Sequence, residues 1–324
     1  MSNIREVAKE AGVGVGTVSR ALNGTGYVAE KTKKRIEEIA KKLDYKPNEL
    51  AKNLLRNSTG IIGVVVPDIE NPFWGRFLKY LEIELYNFGY KALICNTIGD
   101  SNREQDFIDI LKRNVMDGLI TAVHSIGDEA YQDLKRPVVS CERDMGPSIP
   151  LVCSNHLQGG RMAAEALLAA GCRKVVQMGG TYNGRTPADD RHYEFKRVME
   201  EAGVHVTTIE MSWRMVSYDY YRNMMNQYME MYSHADGVFV ADIGAYFCLA
   251  NAKKRGIKVP EELKIIGYDG LEITRMAEPK ITTIVQDIPL MARTCVNCMM
   301  GLLEGRQVES RNVIDVKLQK GGTV

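Results

Sequence analysis

The chain has 324 residues, 45% hydrophobic and 26% charged, a globular composition long enough for two or three domains with sizeable cores. No stretch approaches the roughly 20 uncharged apolar residues of a membrane span, and "MSNIREVAKEAG" is charged where a signal peptide would be apolar. With a net charge of only +1, these features disfavour disordered, membrane-spanning and secreted classes, and a cytoplasmic protein is expected.

Seven cysteines are scattered through the chain, an odd number that suits a reducing compartment better than a disulfide framework. The one close pair, Cys295 and Cys298, lies in "MARTCVNCMMGLLEG", whose apolar spacing is that of a packed helix. It reads as a reduced, structural pair.

Charge is unevenly distributed. Residues 1–57 hold 12 Lys or Arg against 7 Asp or Glu, a surplus of +5, and the remainder carries −4. A basic head on a mildly acidic body points to a polyanion partner for the head alone.

Within that head, "GVGVGTVSRALNG" (12–24) poses a choice between a phosphate loop and a turn entering a helix. A dinucleotide fingerprint needs G-x-G-x-x-G, and here the third position falls on Thr17 or Ser19. Upstream, Ile4, Val7, Ala8 and Ala11 recur at helical rather than strand spacing. The expected arrangement is a helix over 4–11, a turn through 12–14 and a second helix over 15–22. Val18 and Leu22 face inward there, and Val15, Gly16, Thr17, Ser19 and Arg20 face outward. Short polar groups with an arginine suit phosphate positioning and base-edge contact in a major groove. A third helix follows, with Ile36, Ile39, Ala40 and Leu43 as its apolar stripe and lysines around it. Three short helices with a basic surface make a helix-turn-helix headpiece.

"IREVAKEAGVGVGTVSRALNGTGYVAEKT" and "LDYKPNELAKNLL" resemble the N-terminus of the LacI/GalR family of bacterial transcription regulators, and the likeness extends over essentially the whole chain. It implies a double-stranded, pseudo-palindromic DNA operator bound by a homodimer, with Asn23 and Tyr45 joining the outward residues of the second helix. It also implies a short hinge helix that enters the minor groove, in which Leu54 wedges a base step beside Asn48, Ala51 and Lys52; the alternative is that Leu54 packs on the body. "NELAKNLL" is too short to be helical alone in water. Two departures weaken the match. The family usually has Ser where this chain has Gly14 and a side chain where it has Gly16, so base readout at residue 16 is expected to be weak or indirect.

From residue 60, short apolar runs alternate with helical stretches: "GIIGVVVPD", "YKALICNT", "DGLITAV", "RPVVSC" and "IPLVCS", then "KVVQMGG", "VTTIEM", "DGVFVAD" and "LKIIGYDG". The expected fold is α/β: a helix-turn-helix headpiece and hinge helix, then two doubly wound parallel-sheet subdomains of the periplasmic-binding-protein type. The domains are placed at 1–47, 48–59 and 60–324. Within the last, one subdomain takes about 60–158 and 286–316, and the other about 159–285 and 317–324.

Ligands of such sheets bind beyond the carboxyl ends of the strands. After the first strand, "PDIENPFW" offers Asp68, Asn71, Phe73 and Trp74, the aromatics serving either a sugar ring or the core. "GGTYNGRTPADDRHYEF" offers Arg185, Asp189, Asp190 and Arg191, although acidic residues opening a helix also satisfy its dipole. The resemblance places the effector-clamping arginine at Arg191, the hydroxyl-binding aspartate at Asp269 and an acidic contact at Glu142, with Asn71, Phe73 and Trp74 lining the pocket. Ala241 stands where many members have Asn, which leaves the effector's identity open. "LEIELYNFGYKALICNT" and "DDRHYEF" resemble the family's sucrose-operon repressors, implying a sucrose-type sugar, or its phosphate if Arg185 joins Arg191.

No P-loop or G-x-S-x-G occurs and the five histidines lack metal-ligand spacing, so no enzyme, metal or cofactor is expected. A plain sugar-binding receptor is the stronger rival, and the basic head decides against it. "KLQKGGTV" at the end carries no leucine heptads, so a dimer is expected, not a tetramer.

Overall fold

The computed structural model describes residues 3–24, 26–45, 58–97, 101–123, 126–131, 134–179, 186–211, 218–231 and 234–324. The chain divides into two compact units, Met1–Thr59 and Gly60–Val324.

In the first unit, α1 (Ile4–Ala11) is fixed at both ends. The Asn3 side chain accepts from the N–H groups of Arg5 and Glu6, Glu6 accepts from the Asn3 N–H in return, and Gly12 closes the helix at φ 62°. Gly14 then opens α2 (Val15–Asn23) with no side-chain cap, and α3 (Glu30–Lys42) follows. Val7, Ala8, Ala11, Val18, Ala21, Ile36 and Ala40 are buried together. Leu22, expected to face inward with Val18, packs against this cluster while staying partly buried, and Ala21 beside it is buried.

The second unit is built on two six-stranded sheets. Sheet 1 holds β1 (Ile61–Val66), β2 (Lys91–Asn96), β3 (Gly118–Thr121), β4 (Val138–Cys141) and β5 (Leu151–Ser154), with β11 (Arg311–Ile314) returning from the far end of the chain; its order is β11-β5-β4-β3-β1-β2. Sheet 2 holds β6 (Lys174–Met178), β7 (His205–Ile209), β8 (Gly237–Phe239), β9 (Lys264–Asp269), β10 (Thr282–Val285) and β12 (Lys317–Gln319), in the order β12-β10-β9-β8-β6-β7. All pairings are parallel except that of β12 with β10. The two orders correspond strand for strand: β1 with β6, β4 with β9, β5 with β10. Segments at equivalent places in the two halves therefore face equivalent ends of their sheets.

Helices cover both faces, so the inner strands are continuous apolar runs: β1 is buried over five of its six residues, and β3, β4 and β5 throughout. On sheet 1 lie α4 (Pro72–Asn87), α5 (Ser101–Lys112) and α11 (Ile288–Leu303); α6 (His156–Ala169), α7 (Asp190–Glu201), α8 (Tyr218–Met231), α9 (Asp242–Lys254) and the single turn α10 (Ile273–Met276) belong with sheet 2. All seven cysteines are buried free thiols, Cys295 and Cys298 on α11 among them.

The chain crosses between the sheets after β5, after β10 and after β11, and the crossings are tied together. Asn155 N–H donates to the Ile314 carbonyl at 2.7 Å and its Nδ2 to Asp315 at 3.0 Å, while Ser154 Oγ–H donates to Gln286 Oε1 at 2.6 Å. Two glycines in α6 let it run close to the second half. A Cβ on Gly159 would lie 2.7 Å from the Tyr268 ring, and one on Gly160 2.9 Å from the Arg191 Cα.

Gly160→Ala should therefore cost roughly 1–3 kcal/mol through overpacking against the α7 backbone, read as a lower melting temperature. Gly16 is exposed in α2 with open space around it. Gly16→Ala should stabilise the headpiece by about 0.5–1 kcal/mol in a denaturant titration followed by circular dichroism.

Candidate functional site

Beyond the carboxyl ends of both sheets lies a cavity of about 200 Å³. At roughly 30 Å³ per water in the liquid this is room for about seven waters, the scale of a small sugar. Equivalent segments of the two halves line it. From the first half come Asn71, Phe73 and Trp74 at the start of α4 and Glu142 just after β4; from the second come Thr186, Asp189, Arg191 and His192 at the start of α7 and Asp269 at the end of β9. His156 and Gln286 line it from the crossings, and Met178, Met211, Tyr221 and Ala241 complete the apolar wall.

The aromatic side is built by helix capping. Asn71 accepts the Phe73 N–H at 3.0 Å, and Pro72 opens α4. This puts Phe73 and Trp74 edge to face at 4.8 Å, and Trp74 and Phe77 at 5.8 Å. Phe73 both belongs to the core and faces the cavity, which joins the two alternatives that its sequence left open.

The polar side rests on two carboxylates in unusual backbone conformations. Glu142 has φ 59° and Asp269 φ 121°, both left-handed, and side chains rarely hold such angles unless the surroundings impose them. Glu142 Oε1 accepts from the Ser154 N–H at 2.9 Å, and Oε2 lies 2.7 Å from His156 Nε2. A carboxylate can only accept, so Nε2 carries the proton. His156 Nδ1 lies 2.9 Å from the Tyr268 hydroxyl, which completes a chain from sheet 1 through a crossing to sheet 2.

A second chain runs beside it. Ser154 donates to Gln286 Oε1, and Gln286 Nε2 donates to Asp269 Oδ1 at 2.8 Å. Arg191 lies 3.9 Å from Asp269 Oδ1, and its guanidinium sits 4.5 Å above the Tyr268 ring. Behind them Asp242 is fully buried, accepting from Thr283 Oγ1 at 2.6 Å and from the Leu271 N–H at 2.7 Å. Burial, then the Asp269 charge, hold the Asp242 carboxyl well above the usual range. Burial likewise lifts Asp269 to about 6, against the pull of Arg191 and Gln286.

The structure thus brings Asn71, Phe73, Trp74, Glu142, Arg191 and Asp269 to one cavity. Arg185 lies outside the described residues. Asp68 instead turns back to accept the Glu70 N–H at 3.0 Å and is not part of the wall. Asp189 reaches the cavity, with its Oδ2 accepting from the N–H and hydroxyl of Thr186 at 2.7 and 2.9 Å. His156, His192, Gln286 and Tyr268 were not singled out from sequence. The available signal was positional: His156 and Gln286 each stand within two residues of a strand end.

In the headpiece, Val15, Gly16 and Arg20 are exposed on α2, and Thr17, Ser19 and Asn23 are half-buried. Asn23 Nδ2 donates to Ser19 Oγ at 3.2 Å, and Arg20 Nε folds back onto the Gly16 carbonyl at 3.2 Å. Tyr45 packs partly against the headpiece core, and burial raises its hydroxyl pKa. Asn48, Ala51, Lys52 and Leu54 lie outside the described residues.

These features recur in known proteins. The lacI family of bacterial regulatory proteins matches residues 3–48, and a periplasmic binding protein-like domain matches 164–324. The chain is 34% identical over 325 residues to a sucrose operon repressor of Streptococcus mutans, covering 100% of each, and 32% identical to a ribose operon repressor of Halalkalibacterium halodurans, covering 98% and 96%. A regulator from Alkaliphilus metalliredigens complexed with D-xylulofuranose superposes with a TM-score of 0.73 at 28% identity, over 82% of this chain and 99% of that one. The Lac repressor bound to ONPG superposes at 0.87, with 20% identity over 100% and 99%. The chain belongs to the lacI family of bacterial regulatory proteins. It is a DNA-binding transcriptional regulator: a helix-turn-helix domain followed by two parallel-sheet α/β subdomains of periplasmic-binding-protein type.

Asp269 sets a pH dependence. A ligand hydroxyl that donates to its carboxylate should bind evenly above pH 7 and more weakly as pH falls through 6, measured by calorimetric titration between pH 5 and 8. Stability should respond in the opposite sense. Between 3.8 and about 6 the folded chain keeps the Asp269 proton that the unfolded chain has lost, so this group's contribution to stability falls as pH rises through that window.

Proposed function

We propose that the chain represses a carbohydrate-utilisation operon as a cytoplasmic homodimer, with its operator affinity set by a small sugar held between the two sheets. The observation that carries this reading is the cavity itself, lined from both halves of a chain that also has a helix-turn-helix headpiece. A ligand touching both halves binds their relative orientations unequally, which is what an effector needs in order to shift a two-state equilibrium.

The wall suits a sugar. Phe73 and Trp74 supply apolar faces, and Glu142, Asp269, Arg191 and Gln286 supply acceptors and donors for hydroxyls. Relatives named for the sucrose and ribose operons, and a neighbour holding D-xylulofuranose, favour a sugar able to present a five-membered ring. A sucrose-type effector is our first choice, or its phosphate if Arg185 joins Arg191. The domain division at 1–47, 48–59 and 60–324 is part of this reading. So are DNA contacts by Val15, Gly16, Thr17, Ser19, Arg20, Asn23 and Tyr45 and by the hinge residues Asn48, Ala51 and Lys52, with Leu54 as the minor-groove wedge. The chain acts by binding, without catalysis, metal or cofactor.

The test is fluorescence anisotropy of a pseudo-palindromic operator fragment from DNA near its own gene, titrated with sucrose, D-fructose, D-ribose and their phosphates. Tight binding released by one sugar is expected, and failure to bind any such fragment would overturn the reading. Leu54→Ala should weaken operator binding about tenfold or more, near 1.4 kcal/mol, while leaving sugar affinity almost unchanged; equal operator affinity would remove the wedge.

A further inference from the structure

We infer that His192 is a specificity-determining residue of the cleft, offering its Nδ1–H to an oxygen of the bound sugar. This rests on the reading of the cavity as the effector site. The proton is placed by the neighbouring residue. Arg191 Nε–H donates to His192 Nε2 at 3.2 Å, and a guanidinium can only donate, so Nε2 carries the lone pair and the neutral ring bears its hydrogen on Nδ1. That Nδ1 is buried and has no hydrogen-bond partner. The residue is only 6% exposed, yet it lines the cavity.

The ring is held firmly in this state. It packs against Phe239 at 5.4 Å, and its Nε2 edge comes so close to Gly179 that no Cβ could be fitted there. Burial, then the charges of Arg191 and His156, push its pKa well below the ordinary histidine range, so the neutral form persists at physiological pH. A buried donor without an acceptor is costly to keep, and a ligand oxygen supplies the missing partner where it displaces the atoms that now shield Nδ1 from the cavity. The chemistry selected is an acceptor, a ring oxygen or a hydroxyl, beside the hydroxyl donors that Asp269 and Glu142 select. An analogue lacking that oxygen leaves the donor unpaired and is rejected.

Two substitutions separate the donor from the ring's other contacts. His192→Phe keeps the packing on Phe239 and removes both nitrogens. His192→Asn keeps a donor near the Nδ1 position and loses the acceptor for Arg191. Calorimetric titration of the full chain with sucrose, D-fructose, D-ribose and D-xylulose identifies the sugar that binds. For that sugar, His192→Phe should weaken binding roughly tenfold or more and His192→Asn should recover most of the loss. Nitrogen-15 spectra of labelled histidine should show Nδ1 protonated and its resonance moved by the sugar. Equal sugar affinity in His192→Phe, or a proton found on Nε2, would overturn the donor role and leave the sugar reading standing. Failure of every sugar to bind the unsubstituted chain would overturn the sugar reading, and the donor role with it.

Discussion

Three passages of chain join the two sheets, and the rest of the body depends on how their polar groups are satisfied. Each crossing leaves one sheet before joining the next, so its backbone has no ladder of its own to pair with. The Asn155 N–H meets part of that need at the Ile314 carbonyl, and side-chain bonds from Asn155 to Asp315 and from Ser154 to Gln286 tie one crossing to another. Because the strands of both sheets run their carboxyl ends toward this junction, the same constraint gathers polar side chains at the cavity. Structure and site share members: Ser154 and Gln286 hold the crossings and hand their remaining bonds to Glu142 and Asp269.

The concentration of charge there works against stability. The charge of Asp269 adds to burial in raising the proton affinity of the fully buried Asp242, and Asp269, itself half-buried, is raised by desolvation and by Glu142. Glu142 and Asp269 hold left-handed backbone angles without being glycine, at equivalent places in the two halves. A sequence selected for packing alone would fill these positions with apolar residues and glycine. Their presence at one cavity, with Arg191 stacked on Tyr268 between them, is the pattern of a surface kept ready for a polar ligand.

The headpiece was legible because its signals are local: the glycine turn that ends α1, and apolar spacing along three helices. The alternation of strands and helices likewise exposed both sheets and the return of the chain to the first. Arg191, Asp269 and Glu142 were reached through family resemblance, and nothing in their own neighbourhoods of sequence brings them together. His156, Gln286 and Tyr268 escaped notice because their partners lie far off in the chain, at separations of 14 and 112 residues for His156 alone. Gly159 and Gly160 look like weak points of a helix until Tyr268 and Arg191 are seen against them.

Geometry also sets how far a change at the cavity carries along sheet 1. The cavity touches the carboxyl end of β1, and the body begins at the other end of that strand, at Gly60 and Ile61. Six residues of strand span about 20 Å. A turn of sheet 1 by about 10° around the crossings would move the start of β1 by roughly 3–4 Å over that lever. Motion on this scale needs no unfolding and no break in either sheet, because the helices on each sheet travel with it. It must be absorbed where the two halves meet, by Glu142, His156, Tyr268, Gln286 and Asp269, whose bonds span the junction. A ligand that bonds to these residues competes for groups whose present bonds span the junction.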